Sequence, residues 1–203
     1  MSNIFFTSDL HFGHQNVIRF DNRPFSSVEE MNNTLIENWN AKVNKKDLVY
    51  VLGDVSWYKD QKTSDILQNL KGRKILIKGN HDRVHGQVRN HFENITSYDE
   101  IVLNGNKHIV LCHFPVLFFN RHRCGSYMLY GHVHNSSDWI KVESYREELE
   151  AEGISFNAYN VGTMVQNYEP VTIEEIIKNY ERQKEMVRTI KQEKMKVKLE
   201  QEK

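Results

Sequence analysis

Cysteine is scarce in this chain. Cys112 and Cys124 are the only two, and no Cys-x-x-Cys spacing joins them. A disulfide framework is therefore excluded, and two reduced thiols in a cytoplasmic protein are expected. Net charge is also missing: 27 basic against 27 acidic residues leave +0. Apart from a lysine-rich tail, nothing steers the chain toward a nucleic acid polymer or an acidic membrane. No apolar run approaches the roughly 20 residues of a membrane span. The opening MSNIFFTSDLHF has neither a basic n-region nor a long apolar h-region. Internal repeats and Pro/Gly/Ser-rich linkers are lacking as well. One domain is expected, large enough to bury about 70% of the surface its unfolded form exposes. Against these shortages stand ten histidines, a high count that hints at metal or acid–base work.

The first half alternates strand and helix signals. Ile4–Thr7 reads as a short strand ending in Ser-Asp. Residues 26–43 read as an amphipathic helix, with a capping box of Ser27 and Glu30 and with Met31, Leu35 and Trp39 at helical spacing. A buried strand at 47–52 runs into Gly-Asp, residues 63–71 read as a helix stopping at Gly72, and a strand at 74–78 leads into GNHD. From Tyr98 the pattern becomes a β-meander. Strands at 100–103 and 107–112 flank an Asn104-Gly105 turn, and further strands are expected at 127–130 and 156–161. The order implies an α/β domain over residues 1–170 with more than one sheet or a mixed sheet. Residues 171–203 read as one charged helix. Its Ile173, Ile176, Tyr180, Val187, Ile190 and Val197 are spaced either to pack on the domain or to form a homodimer arm.

Side chains able to hold a metal recur where a β-run ends. Asp9 and His11 follow the first strand, Asp54 the second and Asn80 the third; His113 ends the run IVLC, and His132 and His134 follow MLYG. Ligands from separate strand ends converge at one edge of an α/β sheet. The i, i+2 pairs Asp9/His11 and His132/His134 point to one side in extended backbone. Carboxylate, imidazole and one amide oxygen, without thiolate, suit Mn, Fe, Zn, Ni or Co rather than a structural zinc site. Seven ligands exceed the needs of one catalytic ion and suit two ions sharing a water.

This series, DLH, GD, GNHD, a lone His and GHVH, resembles the calcineurin-like metallophosphoesterase superfamily over residues 9–134. The extended opening SDLHFGHQNVI is most similar to its small bacterial and phage phosphoesterases. The resemblance implies a four-layer αββα sandwich of two mixed sheets, with the C-terminal helix added, and two divalent ions, manganese foremost. Asp9, His11, Asp54 and His134 would hold the first ion, with Asp54 bridging; Asn80, His113 and His132 would complete the second. His81 would reach the substrate phosphate and assist the leaving group. Asp82 would either orient His81 or cap the following turn.

The expected chemistry is hydrolysis of a phosphodiester, or also of a phosphomonoester, by a metal-bridging hydroxide. The substrate is expected to be a small phosphate ester or nucleotide. His14, Arg19, Arg121 and Arg123 are candidate substrate contacts, Arg23 reads either as a phosphate contact or as a surface ion pair, and Trp57, Tyr58, Phe118 and Phe119 either stack a base or, by default, pack in the core. A small nuclease or nucleotide phosphatase of the same superfamily is the alternative enzyme. A non-catalytic scaffold using the C-terminal helix is the alternative of another class.

Overall fold

The computed structural model describes residues 2–201, without the side chains of 197–199 and 201, so the expected seam residue Val197 and the tail at 202–203 lie outside the described residues. In chain order the elements are β1 (Ile4–Thr7), α1 (Gln15–Phe20), α2 (Val28–Lys42), β2 (Leu48–Val51), α3 (Asp60–Asn69), β3 (Arg73–Ile77), α4 (Gly86–Arg89) and β4 (Asn94–Thr96). They continue with β5 (Tyr98–Leu103), β6 (Lys107–Cys112), β7 (Tyr127–Tyr130), α5 (Ser137–Ala151), β8 (Ala158–Asn160), α6 (Ile173–Lys178) and α7 (Tyr180–Gln201).

Two four-stranded sheets, β1-β2-β3-β4 and β5-β6-β7-β8, make the middle of the molecule. Side chains alternate across the strands, and that period of two sorts the core into layers. Phe5, Val49, Val51 and Leu76 face α2 and α3. Their neighbours Phe6, Tyr50, Leu52 and Ile77 turn to the other sheet, where they meet Ile109, Leu111, Leu129 and Tyr159. The opposite faces of β6 to β8 present Val110, Met128, Tyr130 and Ala158 to Trp139, Val142 and Val187 on the outer helices. The result is the αββα sandwich that the family resemblance implies.

The strand pairings differ from the expected meander. Every pairing of named strands in the first sheet is parallel. In the second sheet only β5 and β6 form a hairpin, through Asn104-Gly105-Asn106, whereas β6–β7 and β7–β8 run parallel. Only the second sheet is therefore mixed. A parallel neighbour needs a crossover, and β7 reaches β8 through α5, a helix the sequence reading does not anticipate. Its buried face mixes Glu143 and Arg146 with Trp139, Val142 and Leu149, so the apolar period that signals a helix is interrupted.

Caps and helix breaks also shift. Ser27 Oγ accepts the Glu30 N–H at 3.1 Å, but the Glu30 carboxylate turns to the Ser26 N–H and hydroxyl instead of closing the box. A complete capping box forms at Thr172 and Glu175. The expected single C-terminal helix divides at Asn179 into α6 and α7. Ile173, Ile176 and Tyr180 pack between the sheets, and Val187 and Ile190 pack against the α5 layer.

A buried ion pair ties this outer layer together. Arg146 donates to Glu143 at 3.0 Å and to the carbonyls of Phe156 and Ala158, while the Tyr180 hydroxyl donates to Glu143 at 2.8 Å. Glu143 and Arg146 are 5% and 3% exposed, so removing one partner strands the other in a low dielectric. Arg146→Ala should lower unfolding stability by about 3–5 kcal/mol in urea titrations. Replacing both, as Glu143→Gln with Arg146→Met, should recover part of that loss, and a larger loss in the double variant would contradict the account.

Candidate metal centre

The seven expected ligands sit at or beyond the carboxyl ends of β1, β2, β3, β6 and β7. Five of them, Asp9, His11, Asp54, His132 and His134, have φ between 48° and 67°. A side chain there costs roughly 1–2 kcal/mol per residue relative to ordinary backbone, and such strain gathers at functional sites. The left-handed turn explains the geometry: the chain leaves the strand and swings each side chain back over the sheet edge. The extended i, i+2 argument therefore names the right pairs for a different backbone.

The acceptor atoms converge. Asp9, His11 and His134 form one group, and Asp9, Asp54 and His113 another, each with ligand atoms within 4.8 Å of one another. Asp9 belongs to both groups, while Asp54 Oδ2 lies 3.7 Å from His11 Nε2 and 3.6 Å from His113 Nε2. His134 Nε2 stands 3.3 Å from Asp9 Oδ1 and 3.2 Å from His11 Nε2. Asn80 Oδ1 lies 3.1 Å from His113 Nε2. His132 stands at the rim with its ring exposed, 5.1 Å from the His113 ring, and its backbone N–H donates to Asp9.

The donor set fits a cation. His113 Nδ1 must donate to the Leu52 carbonyl at 2.7 Å, which leaves Nε2 of the neutral ring as a lone pair facing Asn80 Oδ1, another acceptor. His11 Nδ1 is buried without a hydrogen-bond partner, and the ring's polar contact is made by Nε2 toward His134. Burial alone pushes the Asp9 carboxyl up, yet its bond to His134 and the nearby imidazoles hold it well below the usual range. His134 is disfavoured as a cation by burial, but Asp21 and Asp9 outweigh this and raise it to about 10. Burial chiefly pushes His11 down to about 2 and also lowers His132, while it raises Asp54. Between Asp9 and Asp21 the arrangement thus favours positive charge on His134, a proton that a divalent ion at Nε2 would replace.

Supporting residues were not all visible in the sequence. Asp21 accepts from His134 Nδ1 at 2.8 Å and holds the ring with Nε2 inward. Arg23 bridges Asp21 and the carbonyls of Asp9 and Leu10; it is buried structure, not a phosphate contact or a surface pair. Asp82 does not hold the His81 imidazole among the described residues. Its two oxygens accept the N–H groups of Asp54, Val55 and Gly79 at 2.8–3.0 Å, tying the loop after β2 to the loop after β3. Gly79 and Gly131 are required for closeness. A Cβ at Gly79 would lie 2.8 Å from Asp54 N, and one at Gly131 would overlap Ser8 and the Asp9 carboxylate.

A cleft of about 710 Å³ opens on the cluster and is lined by His11, His14, Trp57, His81, His132 and His134, with α7 residues beyond them. His14 is therefore where a substrate contact was expected. Arg19 does not line the cleft, and its guanidinium lies 5.4 Å from the Phe20 ring. Arg121 lines a separate depression beside β5 and β6, with Glu100 and His108, and the exposed Arg123 does not line the cleft either. The loop between β6 and β7 carries Arg121 to that side. Arg83, absent from the expected set, lines a smaller cavity of about 190 Å³ together with Asn80 and His81.

Comparison with known proteins agrees with this geometry. An uncharacterized protein of Methanocaldococcus jannaschii is 38% identical over 194 residues, covering 94% of this chain and 97% of its own length. The Gene 66 protein of Mycobacterium phage D29 is 34% identical over 162 residues, 66% of this chain and 80% of that protein. A crystal structure of a protein of unknown function from Aquifex aeolicus superposes with a TM-score of 0.68 at 25% identity, covering 88% of this chain and 99% of that one. The family model for calcineurin-like phosphoesterases matches residues 2–197, nearly the whole described chain with its C-terminal helix. With the ligand cluster at its strand ends and the two-sheet sandwich beneath it, the chain belongs to the calcineurin-like phosphoesterase family.

Proposed function

We propose that this protein hydrolyses small phosphate esters, phosphodiesters foremost, with two divalent ions, manganese first among the candidates. The observation that supports this most is the convergence of Asp9, His11, Asp54, His113 and His134 as two ligand groups that meet at Asp9, with Asp54 Oδ2 3.7 Å from His11 Nε2 and 3.6 Å from His113 Nε2. Asp9, His11, Asp54 and His134 would hold one ion, and Asp54, Asn80, His113 and His132 the other. Bound there, such ions would polarise a phosphoryl oxygen and lower the pKa of a water toward 7.

The chain's own residues supply the rest. Asn80 contributes a neutral oxygen, which limits negative charge where an anionic phosphate must sit. His81 is exposed at the cleft, and its backbone N–H is anchored to Asp54 Oδ1 at 3.0 Å. From that position its imidazole would give a proton to the ester oxygen as the P–O bond breaks, when the bond's electron pair passes to that oxygen. Asp82 positions His81 indirectly, by holding the turn on which it is carried. A cleft of about 710 Å³ falls within the roughly 300–1,000 Å³ of small-molecule sites, and a net charge of +0 does not favour a nucleic acid polymer. The free thiols of Cys112 and Cys124 fit a reducing cytoplasm.

The reading is tested by adding Mn, Ni, Co or Zn to metal-free protein with bis-p-nitrophenyl phosphate and p-nitrophenyl phosphate. Faster cleavage of the diester is expected, and no hydrolysis of either ester under any ion overturns the reading. Metal analysis should find two ions per chain. Asp54→Asn and Gly131→Ala should each lose at least one, and full occupancy in both variants would contradict the assignment. His81→Ala should keep both ions while turnover falls by about 10²–10⁴-fold; loss of an ion would make His81 a ligand instead. Asp82→Asn should destabilise the fold by about 1–3 kcal/mol in thermal unfolding, because it places an amide among three backbone donors.

A further inference from the structure

A row of rings forms one wall of the cleft. Phe20 meets His14 edge-on at 6.3 Å, His14 stacks on Trp57 at 4.2 Å with a 7° interplanar angle, and Trp57 lies 4.6 Å from His81. The row therefore runs from the surface to the residue beside the ligand cluster. Phe20 and Trp57 remain 63% and 48% exposed, a large apolar surface to leave open within one small cleft. Neither ring is needed to fill the core below: α1 is anchored through Val17, which is buried.

The C-terminal helix completes the same cleft. Ile190, Glu193 and Lys194 of α7 line it together with Asn135 and Ser136. Glu193 and Lys194 make no ion pair among the described residues, so a donor and an acceptor face the space beside the rings. An aromatic wall that offers both ring faces and ring edges, with a few polar groups at its margin, suits a planar heteroaromatic ring. A flexible alkyl alcohol would leave both features unused.

We propose that the wall of Phe20, His14 and Trp57, closed by α7, is a subsite for the nucleobase of a nucleoside phosphate ester. This rests on the metal-dependent ester hydrolysis proposed above and extends it to the substrate's second half. The phosphate lies at the ligand cluster, the base lies along the rings, and Glu193 and Lys194 meet its polar edge. α7 then selects the substrate as well as bracing α5.

Fluorescence separates this subsite from the chemistry. Trp39 and Trp139 are 1% and 0% exposed, so an added ligand quenches emission mainly at Trp57. Adenosine monophosphate should quench saturably and bind at least tenfold more tightly than glycerol 3-phosphate, with phenyl phosphate between them. Phe20→Ala and Lys194→Ala should each weaken adenosine monophosphate binding, the first by roughly tenfold, the size of one base–aromatic contact. Trp57→Phe should abolish the quenching signal. Equal binding of adenosine monophosphate and glycerol 3-phosphate overturns the subsite, and equal binding of phenyl phosphate and adenosine monophosphate overturns its nucleoside assignment. If the chromogenic esters are not hydrolysed under any ion while the nucleotide quenching persists, the hydrolase reading fails and the subsite stands.

Discussion

Two buried carboxylates at the ends of neighbouring parallel strands set the terms for the rest of this molecule. Asp9 and Asp54 are 0% and 2% exposed, and charge so far from water must be met by partners. The partners are imidazoles, from the second sheet and from His11, and backbone N–H groups, an arrangement that could hold a cation. Around that requirement the backbone turns left-handed at five ligand positions. Glycines stand where any side chain would displace a carboxylate, and Arg23 and Asp82 hold the loops that carry the ligands.

Much of this was legible in the chain. β1, β6 and β7 fall where the apolar runs place them, and each ligand follows the end of such a run. These signals are local: a short β-branched or aromatic stretch and a polar residue directly after it. What stayed hidden is long-range. Asp21 sits 113 residues from His134, and an isolated aspartate before a turn carries no mark of the ring it will hold. Asp82 adjoins His81 in sequence, so neighbourhood suggested a pairing that the fold does not make. α5 was obscured because a buried ion pair occupies the face that apolar residues would have marked.

The meander expectation failed for a related reason. The Asn104-Gly105 signal specifies one hairpin and no more, and periodicity cannot tell a parallel from an antiparallel neighbour. The loop of residues 113–126 and the helix α5 provide the crossovers that make β7 and β8 parallel to β6. Those crossovers place His113, His132 and His134 on the edge already occupied by Asp9, Asp54 and Asn80. Direction of the strands, more than their existence, is what brings the two halves of the site together.

One further property follows from how the sheets meet. Phe6 bridges to Val171, and Ser8 bridges to Gly162, so the first strand touches both halves of the sandwich. The expected acidic and amide ligands, with His11, come from the first sheet, and the histidines at 113, 132 and 134 come from the second. An ion bound among them would therefore act as a rivet through the sandwich. Its binding energy would add to the cohesion of the two layers, and its departure would loosen the seam between them.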